Sequence, residues 1–293
     1  MFFGESDHIN QLWAEPKTMA KKVVIITGGS SGIGLALAHQ YVSRGEHVVL
    51  IARRQDLLVE AKAELEKSLI SKEQEIISIS CDVSVEEQLK PEIQKVVDHF
   101  GRVDVLITSA GYSKPGYFSN LSTLQFKETF DTNFYGTLYA VQAVVPTMKE
   151  KKSGQIIFIA SGAALIGIFG TSAYCASKFA IKGFAEVLRA ELVHEGIRVS
   201  VACPPDTYTP QLINNEAIKP SETKMIMGSG GCFSAETVAK SIYDGAKKGR
   251  FVITKGASLY FLHKFGSLLL PLVNWYFDRV IRLNKKKSNK ESS

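Results

Sequence analysis

Apolar residues occur along the chain in short blocks, with longer stretches of helical spacing between them. The blocks cover 23–27, 48–52, 76–80, 103–108, 156–160, 198–203 and 251–253, and they run on without polar alternation. Such runs predict strands buried on both faces. Helical patterns fill the gaps, most clearly over Leu121–Met148 and Ala173–His194. Strand–helix alternation predicts an α/β fold, a doubly wound parallel sheet with helices on both faces. A chain of 293 residues buries one substantial core, so residues 21–255 read as a single domain. No internal repeat or long low-complexity linker interrupts it. Residues 1–20, the stretch 207–233 and the basic tail read as the flexible parts.

The first block carries candidate chemistry. Val23–Thr27 runs into Gly28-Gly29-Ser30-Ser31-Gly32-Ile33-Gly34, and an apolar-periodic stretch follows over Leu35–Tyr41. This reads as strand, glycine turn, helix. Glycines let the backbone approach a pyrophosphate, and a helix N-terminus offers free N–H groups and a positive dipole end. Further on, Tyr174 and Lys178 stand at i and i+4 and so share one helix face. An ammonium beside a phenol stabilises the phenolate, which predicts a tyrosine pKa lowered toward neutrality. Ser161, at a strand end, can hold a carbonyl oxygen next to that phenol. The trio suits proton transfer to a ketone or from an alcohol, and the glycine turn supplies a place for the hydride partner.

Either motif alone is weak, because Y-x-x-x-K arises by chance and a glycine-rich turn can merely connect elements. Together, T-G-x-x-x-G-x-G and S…Y-x-x-x-K resemble the short-chain dehydrogenase/reductase family, and the resemblance covers nearly all of residues 22–253. It implies a Rossmann-like domain. It also implies a catalytic tetrad of Asn133, Ser161, Tyr174 and Lys178. By position alone, Asn133 reads equally as a polar residue interrupting an amphipathic helix. The implied cofactor contacts are Gly28, Ser30, Ser31, Gly32, Ile33, Gly34, Asp82, Val83, Ala110, Gly111, Tyr174, Lys178, Pro204, Asp206 and Thr207. Ser109 departs from the family's usual N-N-A-G, where this chain reads Thr108-Ser109-Ala110-Gly111. The long helices imply a homodimer or homotetramer, since the equivalent pair forms a four-helix interface in the family.

The second strand ends Val48-Val49-Leu50-Ile51-Ala52-Arg53-Arg54, with no acid to accept bonds from a ribose 2′-hydroxyl. Two guanidiniums there suit a 2′-phosphate, so Arg53 and Arg54 predict NADPH. The competing reading is a solvated basic turn opening the next helix, which the helix dipole disfavours.

Charge and cysteine narrow the classes further. The formal net charge is +6, and residues 278–293 carry six Lys/Arg against two acids, so most of the excess is a local tail rather than a nucleic-acid surface. Cys81, Cys175, Cys203 and Cys232 have no metal-ligand spacing, and the six histidines form no ligand motif. No metal is predicted, and the thiols read as reduced.

The second half bears on the substrate. Pro204-Pro205-Asp206-Thr207-Tyr208-Thr209-Pro210, Lys219-Pro220-Ser221-Glu222-Thr223 and Gly167-Ile168-Phe169-Gly170 resemble the 3-ketodihydrosphingosine reductase subfamily. That resemblance implies reduction of a long-chain, lipid-like ketone, with 207–233 as a substrate cover. Another apolar ketone (a steroid or a 3-oxoacyl chain) is the alternative substrate. A non-catalytic NADP-binding membrane scaffold is the alternative of another class.

From Gly256 the chain is strongly apolar, with Trp275-Tyr276-Phe277 and then Lys285-Lys286-Lys287. Its uninterrupted part is shorter than the roughly 20 apolar residues of a spanning helix. Residues 256–293 therefore read as a membrane-associating helical segment with a basic tail, lying in the interface. A helix packing on its own domain is the competing reading. Residues 1–20 show no apolar signal core, and Met19 is a natural alternative start. Together these predict a membrane-associated protein on the cytosolic face, at the endoplasmic reticulum in a eukaryote or the inner membrane in a bacterium.

Overall fold

The computed structural model describes residues 21–227 and 231–291, the stretch 285–291 as backbone alone. The expected N-terminal extension lies outside the described residues. Each apolar block becomes a strand. In β1 (Val23–Thr27), Val23 and Ile25 face one core while Val24 and Ile26 face the other, all at most 1% exposed. In β2 (His47–Ala52), Val49 and Ile51 go one way, Val48 and Leu50 the other. A strand covered on both sides has no place for polar alternation, which is why β1 and the core of β2 lack it, whereas the edge strand β3, Ile76-Ile77-Ser78-Ile79-Ser80, alternates and is half-exposed.

Five further strands complete the main sheet: β3 (Ile76–Ser80), β4 (Val105–Thr108), β5 (Gly154–Ile159), β6 (Ile197–Cys203) and β9 (Val252–Thr254). The order is β3-β2-β1-β4-β5-β6-β9 and all pairings are parallel. Helices α3 (Glu86–Phe100), α5 (Gly136–Glu150) and α6 (Ser172–Leu192) cover one face through Leu89, Ile93, Val144 and Ile181. Helices α1 (Gly32–Val42), α2 (Gln55–Glu66) and α9 (Ala235–Lys247) cover the other through Leu37, Leu58, Val238 and Ile242. Strand order reverses between β1 and β4, which opens a crevice at the carboxyl ends of the strands.

The structure adds detail to three regions. The helical pattern of Leu121–Met148 is divided: α4 (Thr123–Phe130) opens on a capping box between Ser122 and Gln125, and a π-helical turn over Asp131–Tyr135 separates it from α5. The stretch 207–233, read from the sequence as flexible, forms regular structure in its described part. It holds β7 (Asp206–Tyr208), α7 (Pro210–Glu216), α8 (Ser221–Met227) and β8 (Cys232–Ser234), with β7 and β8 pairing in a separate small sheet. Its anchor is Thr223, fully buried, whose hydroxyl donates to the Phe169 carbonyl at 2.8 Å. The C-terminal segment is α10 (Ala257–Glu291), bent at Phe265, where φ is −127°. Among the described residues, no helix is long and apolar enough to cross a membrane.

Candidate active site

The glycine turn leaves β1 where two positions require glycine. Gly28 has φ +69°, and a Cβ there would stand 2.6 Å from the Ala110 nitrogen. Gly34 packs so closely on the Gly28 carbonyl that any side chain would collide with it. The turn thus presses against the end of β4 and aims the start of α1 into the crevice. Ser31, the residue before α1, makes no side-chain cap, and no acid occupies the helix's first turn. The N–H groups there are therefore free of protein side-chain acceptors, as an anion site needs.

One cavity of about 740 Å³ runs from this turn across the strand ends to α10. Gly28, Ser30, Ser31, Gly32 and Ile33 line its first part, with Arg53 and Arg54 at the end of β2. Val83, Ala110, Gly111, Ser161, Tyr174, Lys178, Pro204, Asp206 and Thr207 also line it. These residues fit a dinucleotide: a close-approach turn, an uncapped helix N-terminus and two cations at the second strand. Three of the expected residues stand back from the wall. Gly34 lies beneath the turn. Asp82 accepts bonds from the Ser84 N–H at 3.0 Å and the Ser84 hydroxyl at 2.7 Å, and faces Arg53 at 3.7 Å. Asn133 is fully buried inside the π turn.

The π turn gives Asn133 its partners. Its amide donates to the Tyr112 carbonyl at 3.0 Å and to the Ser177 hydroxyl at 2.9 Å, and its oxygen accepts from the Tyr112 N–H at 2.7 Å. Asn133 therefore clamps the segment after Gly111 to α6, one residue from Lys178. Lys178 is 4% exposed, and its ammonium donates to the Ile159 carbonyl at 3.0 Å. Ser161 caps a 3-10 turn over Gly162–Ala164, its hydroxyl accepting from the Ala163 N–H at 3.1 Å.

Electrostatics correct one expectation. Burial pushes the Tyr174 phenol up to about 12, against a smaller downward pull from its hydrogen bond with Ser161; the negative charge of Asp206 adds to the rise. The reason is orientation and dryness. Lys178 Nζ lies 5.6 Å from the ring centroid and is committed to Ile159, so the ammonium does not offset the desolvation of a phenolate. Burial also pulls Lys178 down to about 8. Tyr174 is thus a protonated acid at neutral pH in a dry site next to a serine hydroxyl.

Sequence reasoning missed the apolar end of the cavity. Leu259, Leu262, Leu269, Val273, Tyr276 and Phe277 of α10 line it, and Val280 is buried on the same side. These positions recur at helical spacing, so the stripe was present in the sequence. A second stripe on α10 faces outward, with Leu268 77%, Leu272 65% and Trp275 60% exposed. Among the described residues, no three His, Cys, Asp or Glu side chains converge as metal ligands do.

Comparison with known proteins agrees with this geometry. The family model described as short chain dehydrogenase matches residues 22–219. The 3-dehydrosphinganine reductase of Danio rerio is 40% identical over 252 residues, covering 86% of this chain and 76% of the relative. The 3-ketodihydrosphingosine reductase of Mus musculus is 37% identical over 261 residues, covering 89% of this chain and 79% of the relative. Among solved structures, a variant of actinorhodin polyketide ketoreductase with NADPH is 26% identical, with a TM-score of 0.73 over 82% of this chain and 97% of that one. A doubly wound sheet, a glycine turn at its switch point and a Ser–Tyr–Lys group at the strand ends thus accompany a family match over most of the chain: this protein belongs to the short-chain dehydrogenases, NAD(P)-dependent oxidoreductases.

Proposed function

We propose that this protein reduces the 3-keto group of 3-ketodihydrosphingosine to the alcohol with NADPH, yielding dihydrosphingosine. One observation carries the reading: a single cavity joins the nucleotide turn, the Ser161–Tyr174–Lys178 group and the apolar inner stripe of α10. The relatives from Mus musculus and Danio rerio support the choice of ketone.

NADPH, when bound, supplies the hydride that the carbonyl carbon receives. The glycine turn and the start of α1 hold its pyrophosphate, and Arg53 and Arg54 its 2′-phosphate. Ser161 donates to the ketone oxygen and fixes it beside Tyr174. Tyr174, protonated, gives its hydrogen to that oxygen as negative charge develops there. Lys178, held by the Ile159 carbonyl, would bind the nicotinamide ribose. Asn133 keeps the segment after Gly111 and helix α6 in register. The long chain of the substrate lies along Leu262, Leu269 and Val273, with 207–233 closing over the site as a cover.

The outer stripe of α10 rests on a membrane surface without spanning it. Leu268, Leu272 and Trp275 enter the interface, and the basic tail meets anionic headgroups. The location is the cytosolic face, at the endoplasmic reticulum in a eukaryotic cell or the inner membrane in a bacterial one. The active form is a homodimer or homotetramer.

The test is NADPH oxidation by purified protein with 3-ketodihydrosphingosine, a ketosteroid and an acetoacetyl thioester in parallel. Turnover of the sphingoid ketone well above the others is expected. Preference for the steroid or the thioester would replace the substrate, and inactivity with all three would favour a scaffold.

A further inference from the structure

Asp206 is the only acid among the described residues that line the cavity, against Arg53, Arg54, Lys178, Lys219 and Lys255. It opens β7, just after Pro204-Pro205, and shares the wall with Ser161 and Tyr174. Its charge reaches Tyr174, where it opposes formation of the phenolate. The carboxylate itself is partly buried, and among the described residues no hydrogen bond or ion pair ends on it. The nearest cation is already engaged: Lys219 binds Glu216 at 2.9 Å, with 7% of its side chain exposed. Lys178 is committed to Ile159, and Lys255 stands over the Phe233 ring. Desolvation holds the Asp206 carboxyl above its ordinary range, with Lys219 pulling the other way and Glu216 adding to the rise. An unpaired carboxylate in such a place is costly unless a ligand supplies the opposite charge. Cofactor phosphates cannot, being anions.

We infer that Asp206 is a specificity-determining residue that binds the 2-ammonium group of the substrate while Ser161 and Tyr174 hold the neighbouring 3-keto oxygen. The inference rests on the proposed reduction of 3-ketodihydrosphingosine, whose amine sits on the carbon next to the ketone. Steroid and 3-oxoacyl ketones carry no cation there. For them Asp206 stays unpaired, and the site discriminates against them by leaving a partly buried charge without a partner.

The experiment compares wild type and Asp206→Asn on 3-ketodihydrosphingosine and on 1-hydroxyoctadecan-3-one, which has the same chain and no amine. The substitution should lower kcat/KM for the amine-bearing ketone by roughly 10–100-fold, mainly through KM, as expected for a charge-assisted bond. The loss on the amine-free ketone should be at least about tenfold smaller, and the ratio of the two losses reads the pairing apart from any effect of the turn on NADPH. Equal losses on both ketones would assign Asp206 to the fold or the cofactor and overturn the inference alone. Wild type also reports without any variant: it should reduce the free amine at least about tenfold better than the N-acetylated ketone, which cannot pair with a carboxylate. Equal rates there would overturn the inference while leaving the reductase reading standing. A wild type inactive on the sphingoid ketone but active on a steroid would overturn both.

Discussion

Lys178 gives its ammonium to the Ile159 carbonyl at 3.0 Å, although Tyr174 lies one helical turn away on the same face of α6. The bond ties the helix to the end of β5 and leaves a charge in a dry place, so burial lowers Lys178 from 10.5 to about 8. Between those values the unfolded chain holds a proton that the folded chain sheds. Raising the pH through that window therefore favours the folded state. Wild type, without cofactor, should gain stability relative to Lys178→Met as the pH rises from 8 to 10.5. Urea midpoints across that range read the difference, and a constant difference would show that Lys178 is not depressed.

Tyr174→Phe keeps the ring and removes the acid. Turnover should fall by about 10²–10⁴-fold, the usual contribution of a positioned acid. Binding of NADPH, measured by quenching or calorimetry, should persist. Near-normal turnover would mean that another group donates the proton.

Arg53 and Arg54 sit exposed at the end of β2, and Arg53 is only loosely paired with Asp82 at 3.7 Å. Replacing both with neutral residues should weaken NADPH far more than NADH, because only NADPH bears the 2′-phosphate. Dissociation constants for the two cofactors decide this, and equal weakening would place the arginines outside the cofactor site.

The two stripes of α10 should separate by mutation. Leu268→Ser with Leu272→Ser and Trp275→Ser, on the outside, should abolish flotation with anionic liposomes and spare reduction of a short water-soluble ketone. Leu269→Ser with Val273→Ser, on the inside, should raise KM for long-chain ketones and leave flotation intact. Basic residues near an anionic surface each add roughly 1 kcal/mol, and salt screens that part, so flotation should weaken with ionic strength. Outer-stripe variants that still float would end the docking proposal.

Apolar side chains also face outward elsewhere, with Phe179 45% and Val187 55% exposed on α6 and Tyr135 42% exposed before α5. Light scattering at micromolar concentration should give a dimer or tetramer mass, and Phe179→Glu with Val187→Glu should reduce it. A monomer for wild type would refute the assembly.

The central sheet strands were legible in the sequence because a strand buried on both faces needs an apolar residue at nearly every position, a demand that a few neighbouring residues express locally. Tyr174 and Lys178 were legible for a similar reason, since a helix fixes what stands at i and i+4. The glycine turn is local too, its positive φ at Gly28 being open to few other residues. Other features depend on what distant elements bring together. The spacing of Tyr174 and Lys178 predicts a lowered tyrosine pKa, but the depth of burial and the Ile159 carbonyl reverse the sign. The leucines and aromatics of α10 show helical spacing, yet which stripe is covered depends on where the helix returns over the cavity. Asp206 reads as one acid among many along the chain, and only the folded chain makes it the single acid, among the described residues, lining a cavity that also holds Arg53, Arg54, Lys178, Lys219 and Lys255. Local periodicity thus determines elements and their faces, whereas burial and charge neighbourhood arise only when those faces meet.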